Sequence, residues 1–142
     1  MEVFKKIWQT IIASLGLIII LSGISLAESV ALSWDAPTTN TDGTPITDLA
    51  GFKIYQGTAS GVYGSLTDVG NVLCFVVTGL TVGITYYFAV TAYNTASNES
   101  DYSNEVSKAI TTGMSGSCSG DSIHLNWKSR NKSTGGFGGG FQ

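Results

Sequence analysis

After residue 27 the apolar side chains of this chain recur at every second position, and no stretch carries the spacing of a helix. "SVALSW" sets Val30, Leu32 and Trp34 against Ala31 and Ser33. "GFKIYQG" sets Phe52 and Ile54 against Lys53 and Tyr55. "NVLCFVVTGL" sets Leu73, Phe75 and Val77 against Val72, Cys74 and Val76. "TYYFAVTAY" sets Tyr86, Phe88, Val90 and Ala92 against Tyr87, Ala89, Thr91 and Tyr93. A weaker strand fits 65–69 and a last one 105–110. Between them lie a long loop, 35–51, holding Pro37, Asp42-Gly43 and Pro45, and a polar loop, 94–104. Short period-two runs broken by turn residues predict an all-β, antiparallel sandwich. Its expected core is Trp34, Phe52, Ile54, Phe75, Leu80, Tyr86, Phe88 and Val90.

The stretch "LTVGITYYFAVTAYN" tests that pattern, because it crowds three tyrosines beside Leu80, Phe88 and Val90. Leu80, a short turn, Gly83 and then Tyr86 have the layout of a tyrosine corner, where the ring packs inward and its hydroxyl bonds the backbone a few residues upstream. A buried hydroxyl needs such a partner. Tyr86 is therefore core, and Tyr87 and Tyr93 point the other way.

Taken together, "VALSWDAP", "LAGFKIYQG", "VVTGLTVGITYYFAVTAYN" and "SNESDYSNEVS" resemble a bacterial fibronectin type III domain over about residues 29–111. The resemblance implies an immunoglobulin-like sandwich in which strands A, B and E face C, C′, F and G. It implies adhesion, binding or spacing of extracellular modules as the task. Val82 replaces a usual proline and Gln56 a common aromatic. Almost nothing precedes Val30 in a chain cut before Glu28, so strand A is expected to be short or missing. Strand B would then present an open edge that invites another strand.

Export is read from residues 1–27. Lys5 and Lys6 lead into an apolar run, 11–21, and Ser25 and Ala27 sit at small-residue positions before a cut at Glu28. That is the layout of a secretory signal peptide, with an uncleaved membrane anchor as the alternative. The expected location is secreted or cell envelope, with membrane contact only through that segment. Residues 28–112, the domain itself, hold eight acids against Lys53 and Lys108, whereas the tail, 113–142, holds Asp121 against Lys128, Arg130 and Lys132. So acidic a domain is a poor nucleic-acid binder. Cys74 and Cys118 can pair in an oxidising compartment, stand as two thiols, or bridge two chains.

The tail is expected to be Gly/Ser-rich and flexible, with one strand-like segment, 122–127, whose "SIHLNW" echoes "SVALSW". Three readings stand: a truncated repeat without a task, a strand folded back on its own molecule, or a strand paired with a neighbour in self-association.

Chemistry is sparse. His124 is the sole histidine, no Ser/His/Asp triad is expected on the sandwich, and two cysteines cannot hold a structural zinc. The loop acids Asp42, Asp48, Glu99 and Asp101 would gather at one end in the family fold, a weak place for a cation. They lack the aromatic groove of a glycosidase. No catalytic residue, metal or cofactor is predicted. Outward aromatics Tyr55, Tyr87 and Tyr93, with those loop acids, are the expected binding residues toward a protein or carbohydrate. The leading expectation is a non-catalytic binding or adhesion module. A subunit assembling by strand pairing through its tail is the alternative, and an accessory remnant of a larger secreted enzyme a remote third.

Overall fold

The computed structural model describes residues 27–40 and 42–127. The segment read as a signal peptide and the tail beyond Trp127 lie outside the described residues, except for Ala27. Each alternating run becomes a strand: β1 (Glu28–Trp34), β2 (Leu49–Gly57), β3 (Ser65–Gly70), β4 (Cys74–Leu80), β5 (Thr85–Asn94), β6 (Val106–Ala109) and β7 (Ser122–Leu125). No helix occurs among the described residues. The strands form two sheets, β4-β1-β7 and β3-β2-β5-β6, packed as a β-sandwich.

Register follows the side chains. Phe52 pairs with Ala92, Ile54 with Val90 and Gln56 with Phe88, while Lys53, Tyr55 and Gly57 pair with Thr91, Ala89 and Tyr87 on the opposite face. Across the core, Val30 pairs with Val77 and Leu32 with Phe75. A one-residue slip would turn every one of these apolar groups to solvent, so burial fixes the pairing. Trp34, Phe52, Ile54, Leu80, Phe88 and Val90 are buried as expected, and Trp34 tilts against Phe52 across the sheets at 5.6 Å. Burying each such large side chain contributes about 1.5–3 kcal/mol. Phe75 and Tyr86 only flank the core, half-buried. Leu73, expected inside, is exposed, because β4 begins one residue later.

Tyr86 stacks on Phe88 at 6.3 Å, and the Thr81 N–H donates to its hydroxyl at 3.3 Å, five residues upstream. The turn beside it is closed by Gly83 N–H to Ile110 O at 2.9 Å.

The expectation of a flexible tail from residue 113 is corrected as far as Trp127. β7 lies parallel to β1, with Ala31 opposite Ser122 and Trp34 opposite Leu125. Leu125 is fully buried, and Met114, Ile123 and Trp127 pack against the core. Apolar side chains at alternate positions are why this segment orders: they complete a core that β1 and β4 leave open on one side. Ahead of β7, the Ser29 N–H donates to Met114 O, and the Gly116 N–H to Ser29 O, each at 3.1 Å. Gly116 sits so close to β1 that a Cβ there would lie 2.1 Å from the Ala31 nitrogen, so only glycine fits. Cys118, in the loop between, is bonded to Cys74 on β4. The edge of β1 expected to be open is thus covered by the same chain.

Candidate functional site

The outward face of the four-stranded sheet gathers most of the unusual side chains. Its organiser is the segment 99–105, which runs beside β5 past the end of β6. The Ser100 hydroxyl accepts from the Ala92 N–H at 3.0 Å and the Ser103 hydroxyl from the Val90 N–H at 2.9 Å. The Ser100 and Ser103 N–H groups in turn donate to Ala92 O and Val90 O, each at 2.8 Å, so two serines three apart complete with their hydroxyls a pairing that the backbone makes only in part. That satisfies buried donors of β5 and leaves the residues around them, Glu99 and Tyr102, for the outer face.

Glu99 accepts from Lys53 Nζ at 2.7 Å, Tyr55 Oη at 2.5 Å and Thr91 Oγ1 at 2.6 Å. Burial pushes its carboxyl up, but the bonds from Lys53, Thr91 and Tyr55 outweigh it, and the group sits below the usual carboxylate range. Lys53 is correspondingly raised, first by its bond to Glu99. Burial, and then the bond to Glu99, push the Tyr55 phenol up.

A second carboxylate repeats the pattern one corner away. Glu105 accepts from Ser60 Oγ at 2.6 Å, the Gly61 N–H at 2.7 Å and Tyr63 Oη at 2.8 Å. Those bonds hold it below its ordinary range, and burial with the bond to Glu105 raises Tyr63. Three of the six tyrosines meet between these anions. Tyr55 and Tyr102 are edge-to-face at 4.9 Å, Tyr63 and Tyr102 are tilted at 5.3 Å, and Tyr55 and Tyr63 at 6.0 Å. Tyr102 is 51% exposed. Leu66, the cross-strand partner of Tyr55, is exposed beside them.

Of the expected aromatic trio, Tyr55 belongs to this cluster. Tyr93 lies farther along the same face: its hydroxyl donates to Asp68 at 3.0 Å and Lys53 Nζ sits 5.4 Å over its ring. Tyr87 is half-buried opposite Gly57 and Ser107. Tyr63 and Tyr102 were missed. They stand in loops without periodicity, and only "SGVYGS" and "SDYSNE" as polar loops interrupted by one ring could have marked them.

The four loop acids are not brought together. Asp42 caps its own turn through the Thr44 N–H and hydroxyl at 2.9 and 2.6 Å. Asp48 accepts from Asn94 Nδ2 at 3.0 Å, Glu99 turns onto the sheet as above, and Asp101 is exposed. Among the described residues no three His, Cys, Asp or Glu side chains stand close enough to hold a metal ion.

No Ser/His/Asp triad was expected on the sandwich, yet one residue of each type does come together there. Ser33 Oγ lies 3.3 Å from His124 Nδ1, and His124 Nε2 lies 3.3 Å from Asp35 Oδ2. β7 delivers the imidazole, by its parallel register with β1. The arrangement lacks what acyl transfer needs. Asp35 is 85% exposed and His124 47%, so water competes for both bonds. Ser33 sits in mid-strand between β4 and β7, where backbone N–H groups go to ladder bonds rather than to a developing oxyanion. Its hydroxyl also accepts from Ser122 Oγ at 2.9 Å.

No protein-family model matches the chain. A Kelch domain-containing protein of Saccharolobus solfataricus is 42% identical over 67 residues, which is 47% of this chain and 8% of that protein. The chain thus spans less than a tenth of the length of this relative.

Proposed function

We propose that the chain is a non-catalytic binding or adhesion module of the fibronectin type III type, working outside the cytoplasm through the outward face of its four-stranded sheet. The observation that carries the reading is the tyrosine cluster Tyr55, Tyr63 and Tyr102, in which the half-buried Tyr55 and Tyr63 are locked by Glu99 and Glu105 while the Tyr102 ring faces solvent. Rings fixed in this way lose little conformational entropy on binding, and they offer a large contact area with polar tips. The fold type is supported by the strand order, in which β1 and β4 stand as B and E, and β2, β3, β5 and β6 as C, C′, F and G. β7 takes the place of A from the other end of the chain. Export is supported by the Cys74–Cys118 bond, which belongs to oxidising compartments. A stretch of 67 residues recurring at 42% identity within a much longer protein supports a module used beside others.

The test is a panel of glycans and extracellular proteins probed with the mature protein. Tyr102→Ala is expected to weaken any specific binding at least tenfold while shifting stability by under about 1 kcal/mol, the usual range for a half-exposed position. A blank panel, or binding equal in wild type and variant, removes the assignment.

A further inference from the structure

Ala89 stands opposite Tyr55 on the outward face of the four-stranded sheet, yet it is fully buried. So small a side chain leaves a hollow in the sheet surface, and Tyr55, Tyr63 and Tyr102 gather beside it with ring centroids 4.9, 5.3 and 6.0 Å apart. The rings already touch one another, so no slot opens between them. Tyr102 is the ring that stays open to solvent, and Leu66, across the strands from Tyr55, is exposed as well.

The two carboxylates at this cluster are not alike. A carboxylate offers about four acceptor positions. Glu105 uses one on Oε1, for the Ser60 hydroxyl, and two on Oε2, for the Gly61 N–H and the Tyr63 hydroxyl. All three donors are neutral, and no ion pair among the described residues reaches it. Glu99 instead has its charge answered by Lys53. The bond from Ser60, first among its causes, holds Glu105 below the ordinary carboxylate range, so it stays an anion at neutral pH. A phenol that donates to a carboxylate gains electron density on its ring, and the face of such a ring draws a cation more strongly. The same sheet face already shows this pairing once: Lys53 Nζ lies 5.4 Å over Tyr93, whose hydroxyl donates to Asp68. Around the corner, residues 28–112 hold eight acids against Lys53 and Lys108, a field that favours the approach of positive charge.

We propose that Tyr102, Tyr63 and Glu105 form the receptor for an arginine side chain presented by a partner protein. The guanidinium plane stacks on the Tyr102 ring, its edge takes the remaining acceptor position of Glu105, and its methylene stem lies along Leu66. Arginine suits the place better than lysine, because a planar fork can stack on a ring while it bonds a carboxylate, whereas an ammonium is a compact and strongly hydrated charge. This partner chemistry rests on the reading of the outward face as a binding surface.

The experiment is nuclear magnetic resonance on the full mature chain, titrated with a triarginine peptide and separately with trilysine. Triarginine is expected to shift the Tyr102 and Tyr63 ring signals saturably, and trilysine to bind roughly tenfold more weakly. Glu105→Gln should weaken triarginine roughly tenfold, and Tyr102→Leu, which keeps an apolar side chain but no ring, should weaken it too. Asp121→Asn removes the same charge ahead of β7 on the other sheet and should leave binding as in wild type. Binding should fade at about 1 M salt, where the screening length is about 3 Å. Ring signals that do not move, equal binding of both peptides, or an equal loss in Glu105→Gln and Asp121→Asn would each overturn the receptor. If triarginine fails while the panel above yields a partner lost in Tyr102→Ala, the arginine assignment falls and the binding face stands. If triarginine binds as stated while the panel stays blank, the receptor stands and only the adhesion reading falls.

Discussion

The two outer faces of the sandwich begin from the same alternation and end in opposite conditions. On the β4-β1-β7 sheet, Ala31, Ser33 and Cys74 are small, and that smallness lets the chain itself lie down on them. Ala31 is fully buried, with the backbone of Gly116 against it and the Cys74–Cys118 bond beside it. On the β3-β2-β5-β6 sheet, the corresponding positions hold Lys53, Tyr55, Thr91 and Tyr93, too bulky and too polar to be roofed by backbone. That face is instead knitted by side chains meeting carboxylates. The contrast separates two uses of a sheet. One face is sealed by main chain and a covalent bond, and serves stability. The other is held by groups that can exchange one partner for another, as the recognition proposed for it would require.

The contrast can be broken or sharpened in steps. The largest effect is expected where the sealing strand enters the core. Leu125→Ala should cost about 2–5 kcal/mol, the range for a fully buried leucine, read as a lowered midpoint in denaturant. A loss under 1 kcal/mol would mean that β7 is not needed to complete the core. Next, Cys118→Ser should cost about 2–4 kcal/mol in the chain-entropy picture of disulfides. The loss should vanish when wild type and variant are compared under reducing conditions.

On the open face the effects are smaller and depend on pH. Glu99 and Glu105 have folded pKa values below their unfolded ones, so the stability they contribute is present at neutral pH. It begins to be lost as the pH falls below about 4.3, the unfolded glutamate value, and is gone once the pH has passed below the lower folded values. Glu99→Gln should therefore cost about 1 kcal/mol at pH 7 and less at pH 3, measured by thermal unfolding. An equal cost at both values would show that Glu99 acts by shape and not by charge. Smallest of all, Ser33→Ala should leave the hydrolysis of simple activated esters unchanged from wild type. A drop to the buffer rate would turn the Ser33–His124–Asp35 contact into chemistry.

Much of the architecture was legible because each strand carries its own evidence. Phe52 with Ile54, and Phe88 with Val90, announce an inward face by spacing alone, and β2 and β5 appear where that spacing puts them. β7 was visible as a strand-like segment, and folding back on its own molecule was one of three readings, but the choice among them was not legible. Pairing partners are chosen by which edge lacks a core, a property of the assembled sheet and not of "SIHLNW". The site was less legible for a related reason. Tyr55 could be read from alternation, whereas Tyr63 and Tyr102 are recruited from loops by Glu105 and by the serine-built segment beside β5. Glu99 looked like a loop acid because nothing local reveals that Lys53, Tyr55 and Thr91 converge on it.

The parallel partnership of β1 and β7 also sets an order of events. Ser33 and His124 stand 91 positions apart in sequence, so the first strand of the sandwich must wait for the last before its layer is complete. Pairings this remote close slowly, because the intervening chain must be gathered first. A chain emerging from its start would hold β1 with one bare flank until nearly the whole domain had appeared, and the sulfur bond from β4 to the loop ahead of β7 then keeps the last strand close to its place.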